Sequence, residues 1–353
     1  IQGLLLEVTD EVYDIMLGLM WDDERNGKIG DDTLHGLAGN DKLEGEDGDD
    51  ILYGGGGADE LKGGDDNATF VIEGYNQAEF DVFDGGNEEL DRNPQGDTIV
   101  NESGSDVVFN KFDDSWNIET FDGGGYASLG NADDNSLDFQ KTTLVNVTYV
   151  DGGAGEDEIK GSDADETFRG GADKDKIEGK DGNDNLFGDA GTDELKGGKG
   201  NDVLDGGANV DKLNGEEGND TLIGGAGNDE LDGNKGDDWL IGVNPEAAQA
   251  GFGEIDKLKG GDQSDIFVLG DAMQAYYLGQ GNRDYGLIDD FKVDQSDQIQ
   301  LYGIASNYSL KTDVKDLEKG TAIFFSEEND LIGIVKDVKG LSLTDSNVFT
   351  FVV

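Results

Sequence analysis

From Gly152 to Val268 a large apolar residue recurs at nearly every ninth position. The series is Ile159, Phe168, Ile177, Leu186, Leu195, Leu204, Leu213, Leu222, Leu231, Leu240, Leu258 and Phe267. Each stands between two mostly polar neighbours, and a glycine-rich stretch separates one from the next. A three-residue run with one apolar centre predicts a short strand whose middle side chain turns inward. The glycine-rich stretches predict turns. Self-similarity at a short fixed period predicts a solenoid, each unit one turn and one strand. The best-formed units read GGKGNDVLD (Gly197–Asp205), GGAGNDELD (Gly224–Asp232) and GKDGNDNLF (Gly179–Phe187).

The same period organises residues 27–71, with Leu34, Leu43, Leu52, Leu61 and Phe70 at the apolar position. Its last unit, GGDDNATFV, has Ala68 where the others have an acid. The chain divides accordingly. Residues 1–26, with Leu4, Leu5, Val8, Val12, Ile15, Met16 and Leu19 at helical spacing, are expected to form a short amphipathic N-terminal helix, acting as a cap or contact segment. Residues 27–71 are the first repeat tract. Residues 72–151 lose the period but keep strand-like runs such as DTIVN and VNVTYVDGG, and predict a widened parallel β-helix segment. Residues 152–268 are the main tract. Within it GVNPEAAQA (Gly242–Ala250) fills one nine-residue slot without matching, which reads as a loop replacing one coil edge. Residues 269–353 are aperiodic and β-rich, and are expected to form an antiparallel cap over the solenoid's last edge. The fold class is all-β: a parallel β-roll or β-helix solenoid with a β-rich C-terminal capping domain.

Charge changes the picture. The chain of 353 residues carries 81 acidic and 25 basic side chains, a net charge of −56. Such a chain repels itself unless cations neutralise it. It has no basic face to meet phosphates, so nucleic acid is not an expected partner. The absence of cysteine excludes disulfides and thiolate metal sites. No run of about 18 apolar residues occurs, so no membrane-spanning helix is expected. The chain begins at Ile1 rather than Met, which fits a processed or truncated start.

The repeat unit itself supplies cation chemistry. It reads Gly-Gly-x-Gly-x-Asp-x-U-x, with U large and apolar. The glycines permit turns with positive φ and let main-chain carbonyls approach an ion. The sixth-position Asp adds a hard carboxylate oxygen. A ligand set of oxygens without His or Cys favours Ca²⁺ over transition metals. One apolar residue per nine is a thin core, so bound metal is expected to supply part of the folding free energy.

These units resemble the RTX, or haemolysin-type calcium-binding, repeat family, over the two tracts and roughly half of the chain. The resemblance implies a right-handed β-roll with two units per coil. Multiple Ca²⁺ ions then lie between turns eighteen residues apart, held by turn carbonyls and sixth-position aspartates. Carried over by position, one edge of the main tract has Asp157, Asp175, Asp193, Asp211 and Asp229, continued after the interruption by Asp265. The other edge has Asp184, Asp202, Asp220, Asp238 and Asp256. The first tract adds Asp32, Asp50, Asp41 and Asp59. Glu166 replaces Asp in GSDADETFR, and Asp173 and Asn209 replace the fourth-position glycine of their units, which puts those sites in question.

Units alternate between two sheets, so each sheet reads separately. One carries Glu158, Lys176, Glu194, Lys212 and Glu230 at the seventh position, a ladder of alternating sign that predicts a solvated face. The other carries Thr167, Asn185, Val203, Thr221 and Trp239, with Phe187, Ile223 and Ile241 among its ninth positions. The Phe187, Ile223, Trp239 and Ile241 face, and its counterpart Ile51/Tyr53, are expected to be contact surfaces, either within the chain or for self-association, for which the terminal caps are an alternative.

No enzyme is expected. The single histidine, His35, excludes HExxH zinc chemistry, it stands at an outward strand position where a surface histidine is expected rather than a triad base, and no GxSxG elbow occurs. The final run, Asn347 to Val353, resembles the hydrophobic terminus of type I secretion substrates, and the C-terminal block resembles the last domain of RTX proteins of cyanobacterial type. The expected role is a secreted, extracellular or cell-surface structural protein that folds on external Ca²⁺ and self-assembles into a layer, fibre or matrix. The alternatives are the carrier and secretion portion of a toxin or hydrolase, or an adhesin.

Overall fold

A computed structural model describes residues 15–74, 81–86, 96–279, 281–325 and 329–353. The chain forms two compact units, Ile1–Thr167 and Phe168–Val353. Both are stacks of parallel strands, as a nine-residue unit with one inward side chain requires.

In the first unit one sheet stacks Ile15–Leu17, Thr33–Ala38, Ile51–Gly56, Thr69–Ile72, Thr98–Asn101, Thr120–Asp122 and Thr143–Val145. A second stacks Glu24–Ile29, Lys42–Asp47, Glu60–Asp65 and Val82–Gly86. The inward residues form one continuous column: Met16, Leu34, Leu52, Phe70, Ile99, Phe121 and Leu144 pair in register. The column runs from repeat into non-repeat sequence without a break. Past Asn101 each coil gains a third strand, in the stacks Val107–Val108 with Ser128–Leu129 and Lys111–Phe112 with Ser136–Asp138. A three-sided coil encloses more volume, and aromatic rings fill it. Phe109 and Phe112 meet edge-on at 5.5 Å, and Phe112 lies 5.2 Å from Trp116 and 4.6 Å from Phe139.

The helix expected over residues 1–26 lies partly outside the described residues. From Ile15 onward the chain is extended instead, in the strands Ile15–Leu17 and Glu24–Ile29. Apolar residues three and four apart satisfied the helical pattern, but pairing with the next coil at Met16 and Leu34 decides the backbone.

In the second unit the two columns are Leu186, Leu204, Leu222, Leu240, Phe267, Ile299 and, facing them, Ile177, Leu195, Leu213, Leu231, Leu258, Ile288. All are fully buried. Residues 242–250 do not replace a coil edge. They are an addition to a single coil, which lengthens from 18 to 27 residues, so that Leu231 meets Leu258 and Leu240 meets Phe267.

The C-terminal block also differs from a purely antiparallel cap. Tyr285–Ile288, Gln298–Tyr302 and Phe349–Val352 continue the parallel stacks. Among the described strands, Tyr308–Thr312, Gly320–Phe325 and Asp330–Lys336 pair antiparallel, around a core of Tyr285, Ala322, Phe324, Leu331 and Ile334. Among the described residues the only helical pieces are short 3-10 turns, such as Asp114–Trp116.

The fourth-position glycines are required by the stacking. Gly218 has φ 141°, and a Cβ there would run into the Gly200 carbonyl of the coil beneath. Asp173 and Asn209 hold this position at φ 74° and 82°, in the left-handed region that Asp and Asn tolerate best.

With one inward residue per strand, each truncation empties a whole layer. Leu204→Ala is expected to lose about 2–5 kcal/mol in saturating calcium. The outward Val203→Ala is expected to lose less than about 0.5 kcal/mol. Urea unfolding of both variants checks the difference.

Candidate metal centre

The sixth-position Asp stands where the glycine turn meets the strand. The first glycine of the unit puts no side chain beside it, and the strand fixes its direction, so its carboxylate is tucked into the edge of the coil. Asp202 and Asp220 are 1% exposed and Asp238 is 0% exposed.

One carboxylate oxygen has a defined partner. The Asp184 N–H donates to Asp202 Oδ1 (2.8 Å), Asp202 N–H to Asp220 Oδ1 (2.9 Å) and Asp220 N–H to Asp238 Oδ1 (2.8 Å). Along the opposite edge the same bond runs from Asp175 to Asp193, from Asp193 to Asp211 and from Asp211 to Asp229 (2.8, 2.8 and 2.9 Å). In the first unit it joins Asp32 to Asp50 and Asp41 to Asp59, each at 2.8 Å. Asp157 takes the Asn135 N–H at 2.6 Å. Each rung is therefore an Asp whose amide feeds the carboxylate of the next coil.

The other oxygen is left over. Among the described residues, Oδ2 of Asp41, Asp50, Asp59, Asp193, Asp211, Asp220, Asp229, Asp238 and Asp265 is buried and receives no hydrogen bond. It faces the first glycine of its own unit. A Cβ on Gly197 would stand under 3.0 Å from both Asp202 Oδ2 and the Gly215 carbonyl. The same two oxygen types bracket Gly45 (Asp50 and Gly63) and Gly206 (Asp211 and Gly224). A buried, uncompensated carboxylate oxygen converging with a main-chain carbonyl is a hard, anionic, oxygen-only donor set. It fits a divalent cation of the Ca²⁺ type, and glycine keeps the approach open.

Without a cation the arrangement is costly. Burial, reinforced by neighbouring carboxylates, pushes Asp211, Asp229 and Asp265 up to about 8. Burial likewise raises Asp50 and Asp220 to about 7, and Asp41, Asp193 and Asp238 to about 6, against the opposing effect of the backbone N–H bond.

The ladders correct the assignment of edges after the interruption. Asp229 N–H donates to Asp256 Oδ1 at 2.9 Å, and Asp238 N–H to Asp265 Oδ1 at 3.1 Å. Asp256 therefore continues the edge of Asp175 to Asp229, and Asp265 the edge of Asp184 to Asp238. Residues 242–250 form no strand, so they do not advance the alternation between edges. Asp256 differs from the other rungs in a second way. Its Oδ2 accepts the Tyr277 hydroxyl at 2.6 Å, and that hydroxyl occupies the Gly242 cradle where other rungs have a carbonyl. Glu166 turns back onto its own loop, taking the Ser162 N–H at 3.2 Å and the Ser162 hydroxyl. The units with Asp173 and Asn209 keep their rungs, through Asp175 and Asp211.

Several rungs lie outside the nine-residue pattern. Asp23 passes its N–H to Asp41 (2.7 Å), Asp81 takes that of Asp59 (2.8 Å), and Asp97 takes that of Ala68 (2.6 Å). Asp297 takes the Asp265 N–H at 3.2 Å, and its Oδ2 takes the Lys292 N–H at 2.7 Å. A three-residue signal survives where the period fails: Asp81-Val82-Phe83, Asp97-Thr98-Ile99 and Asp297-Gln298-Ile299 each keep Asp two residues ahead of a buried apolar side chain. A second, exposed ladder also went unread. Asn201 N–H donates to Asn183 Oδ1, Asn219 N–H to Asn201 Oδ1 and Asp237 N–H to Asn219 Oδ1, at 2.8 to 2.9 Å. It runs opposite in direction to the buried one.

The outer faces follow the alternation. Lys176, Glu194, Lys212, Glu230 and Lys257 are in register, and Lys257 reaches Glu230 at 2.7 Å. On the other column Val203, Thr221, Trp239 and Ile266 are in register, as are Ile223, Ile241 and Val268. Trp239 is 42% exposed, and the Arg169 guanidinium lies 4.7 Å over the Phe187 ring. In the first tract His35 stacks on Tyr53 at 4.3 Å.

A parallel roll edged by buried aspartate ladders, with glycine-lined cradles between coils, is a repeat solenoid carrying the oxygen donor set of a cation-binding protein. The RTX calcium-binding nonapeptide repeat, in its four-copy form, matches residues 26–61, 149–177, 178–213, 187–222 and 214–242. Those two tracts are RTX calcium-binding nonapeptide repeats, as their resemblance implied. No curated protein matches the chain.

The raised carboxyls set the pH response of the metal-free chain. A carboxyl with a folded value of about 8 against 3.8 holds a proton that the unfolded chain releases. Between about pH 4 and 8 the metal-free fold therefore loses stability as pH rises. With chelator present, melting followed by circular dichroism is expected to show a higher Tm at about pH 5 than at about pH 8. Calcium added at about pH 8 is expected to restore folding. A metal-free Tm that climbs from pH 5 to pH 8 contradicts this.

Proposed function

We propose that the protein is a secreted, calcium-dependent structural β-roll with no catalytic role, which folds outside the cell and then self-associates. The observation that carries the reading is the unpartnered Oδ2 repeated along both edges, from Asp41 to Asp265. At submicromolar cytosolic calcium these carboxylates stay apart. Extracellular calcium modules bind at about 10⁻⁴–10⁻³ M, so external calcium closes the coils. This also suits export as an unfolded chain, in keeping with the type I secretion typical of the repeat family.

Self-association is supported by the contrast between the two faces. Along one column lysines and glutamates neutralise each other in register. The other presents Trp239 half in solvent, with Ile223 and Ile241 beside it in the same sheet. An unbalanced apolar face on an otherwise highly charged protein is the natural contact surface. Layer, fibre or matrix assembly through this face follows.

A calcium titration read by circular dichroism and light scattering together tests both parts. Ellipticity is expected to rise cooperatively at about 10⁻⁴–10⁻³ M calcium, with scattering rising at or after it. Calcium-independent monomers would overturn the reading. The double variant Phe187→Ser/Trp239→Ser is expected to keep the ellipticity change and lose most of the scattering. If neither stability nor scattering changes, the contact assignment fails while the calcium reading stands.

A further inference from the structure

We propose that the Asp256 rung binds no calcium: the Tyr277 hydroxyl takes the ion's place, and the chain closes this coil edge by itself. The proposal rests on the reading of the other cradles as calcium sites. Asp256 lies beyond the last matched range, 214–242. Its position in the repeat implies the same ion as for Asp211 and Asp229 on its edge, and the residues around it do not fit one.

The contrast shows along one series of glycines. A Cβ on Gly206 would stand under 3.0 Å from Asp211 Oδ2 and the Gly224 carbonyl, and one on Gly224 from Asp229 Oδ2 and the Gly242 carbonyl. Those two carboxylate oxygens are buried and receive no hydrogen bond. At Gly242 the facing oxygens are Asp256 Oδ2 and the Tyr277 hydroxyl. The hydroxyl donates to Oδ2 at 2.6 Å, while Oδ1 takes the Asp229 N–H at 2.9 Å. Both oxygens of Asp256 are therefore satisfied. A carbonyl offers a cation lone pairs alone, whereas a donating phenol offers a proton. That proton stands on the side of the carboxylate that Asp211 and Asp229 leave open, and it already compensates the buried oxygen.

The chain builds a slot for this ring. Tyr277 and Asp256 are both 0% exposed. The Tyr277 N–H donates at 2.8 Å to the carbonyl of Ala250, the last of the nine added residues. Gly251 follows at φ 77°, and a Cβ there would run into the Tyr277 ring and the Val243 side chain. Tyr277 itself is left-handed, at φ 59°, a conformation that a bulky residue holds only where its surroundings impose it. Residues 242–251 thus form the wall that brings the phenol to the coil edge, which gives the lengthened coil a role. Burial, reinforced by the Asp256 carboxylate, holds the phenol well above its ordinary value, so it stays a donor.

The test is an ion count on the full chain, by native mass spectrometry in saturating calcium, for wild type, Asp211→Asn and Asp256→Asn. Asp256→Asn keeps an oxygen for the Asp229 N–H and removes the charge that a cation would need. The expected result is one ion fewer in Asp211→Asn and the wild-type number in Asp256→Asn. One ion fewer in both variants overturns the proposal and leaves the reading of the repeat cradles intact. No loss in either variant, or no calcium on the wild type, overturns that reading and the proposal with it. If Asp256→Asn does not reach the wild-type far-UV spectrum, the wild type decides alone. A buried hydroxyl held by a carboxylate exchanges slowly with water. In protein isotopically labelled at tyrosine and glycine, NMR in saturating calcium is expected to show the Tyr277 hydroxyl proton, identified by its through-space contact with the Gly242 α-protons. Its absence there overturns the proposal.

Discussion

The structure depends on carboxylates buried at the two edges of each repeat coil, each directly above its counterpart in the next. Coils of a parallel stack are about 4.8 Å apart. Unit charges at that spacing repel by roughly 3–4 kcal/mol at an effective dielectric of about 20. The backbone relieves one oxygen, since each Asp amide donates to the Asp one coil on, as from Asp202 to Asp220. It does nothing for the other. The inward residues cannot offset a long ladder of such charges, because each strand supplies only one, such as Leu204 or Leu213. Calcium bound between coils, as the repeat family binds it, would resolve the conflict: it would remove the repulsion and tie consecutive turns together, and on the function proposed above folding and metal binding are one process.

The same constraint explains how the chain varies its coils without losing the stack. Any length is tolerated if it returns an Asp and an apolar residue two places later to the same edge. The coil that contains residues 242–250 does this after 27 residues, and the coil ending at Asp97 after 29. Where a coil gains a third strand, rings such as Phe109, Phe112 and Phe121 fill the larger section. At the C-terminal end the chain satisfies the last carboxylates by itself. The Tyr277 hydroxyl reaches Asp256, and the Lys292 amide reaches Asp297. The ladders thus end on protein groups, and the antiparallel strands around Phe324 and Ile334 cover the stack beyond them.

Much of this was legible in the sequence because the repeat writes its geometry residue by residue. The apolar column from Ile177 to Leu258 and the aspartates from Asp175 to Asp238 follow from position alone. What escaped was whatever the nine-residue count does not encode. Counting slots put Asp256 and Asp265 on the wrong edges, because a slot without a strand does not cross the roll. Asp97 and Asp297 keep only the short Asp-x-apolar signal, which is too common in an acidic chain to stand out. The partnership of Tyr277 with Asp256 spans 21 residues and exists only in three dimensions. The helical spacing near Ile15 was real as a pattern, yet pairing with Thr33–Ala38 outweighs it.

The most direct measurement of the central claim is hydrogen exchange at the rung amides, those of Asp184, Asp202, Asp211 and Asp220, with calcium and with chelator. If the ladders are held together by cations, these amides are strongly protected in calcium and exchange near the unfolded rate in chelator, as a set. Equal protection in both conditions would contradict the account, because the buried carboxylates would then be accommodated without metal.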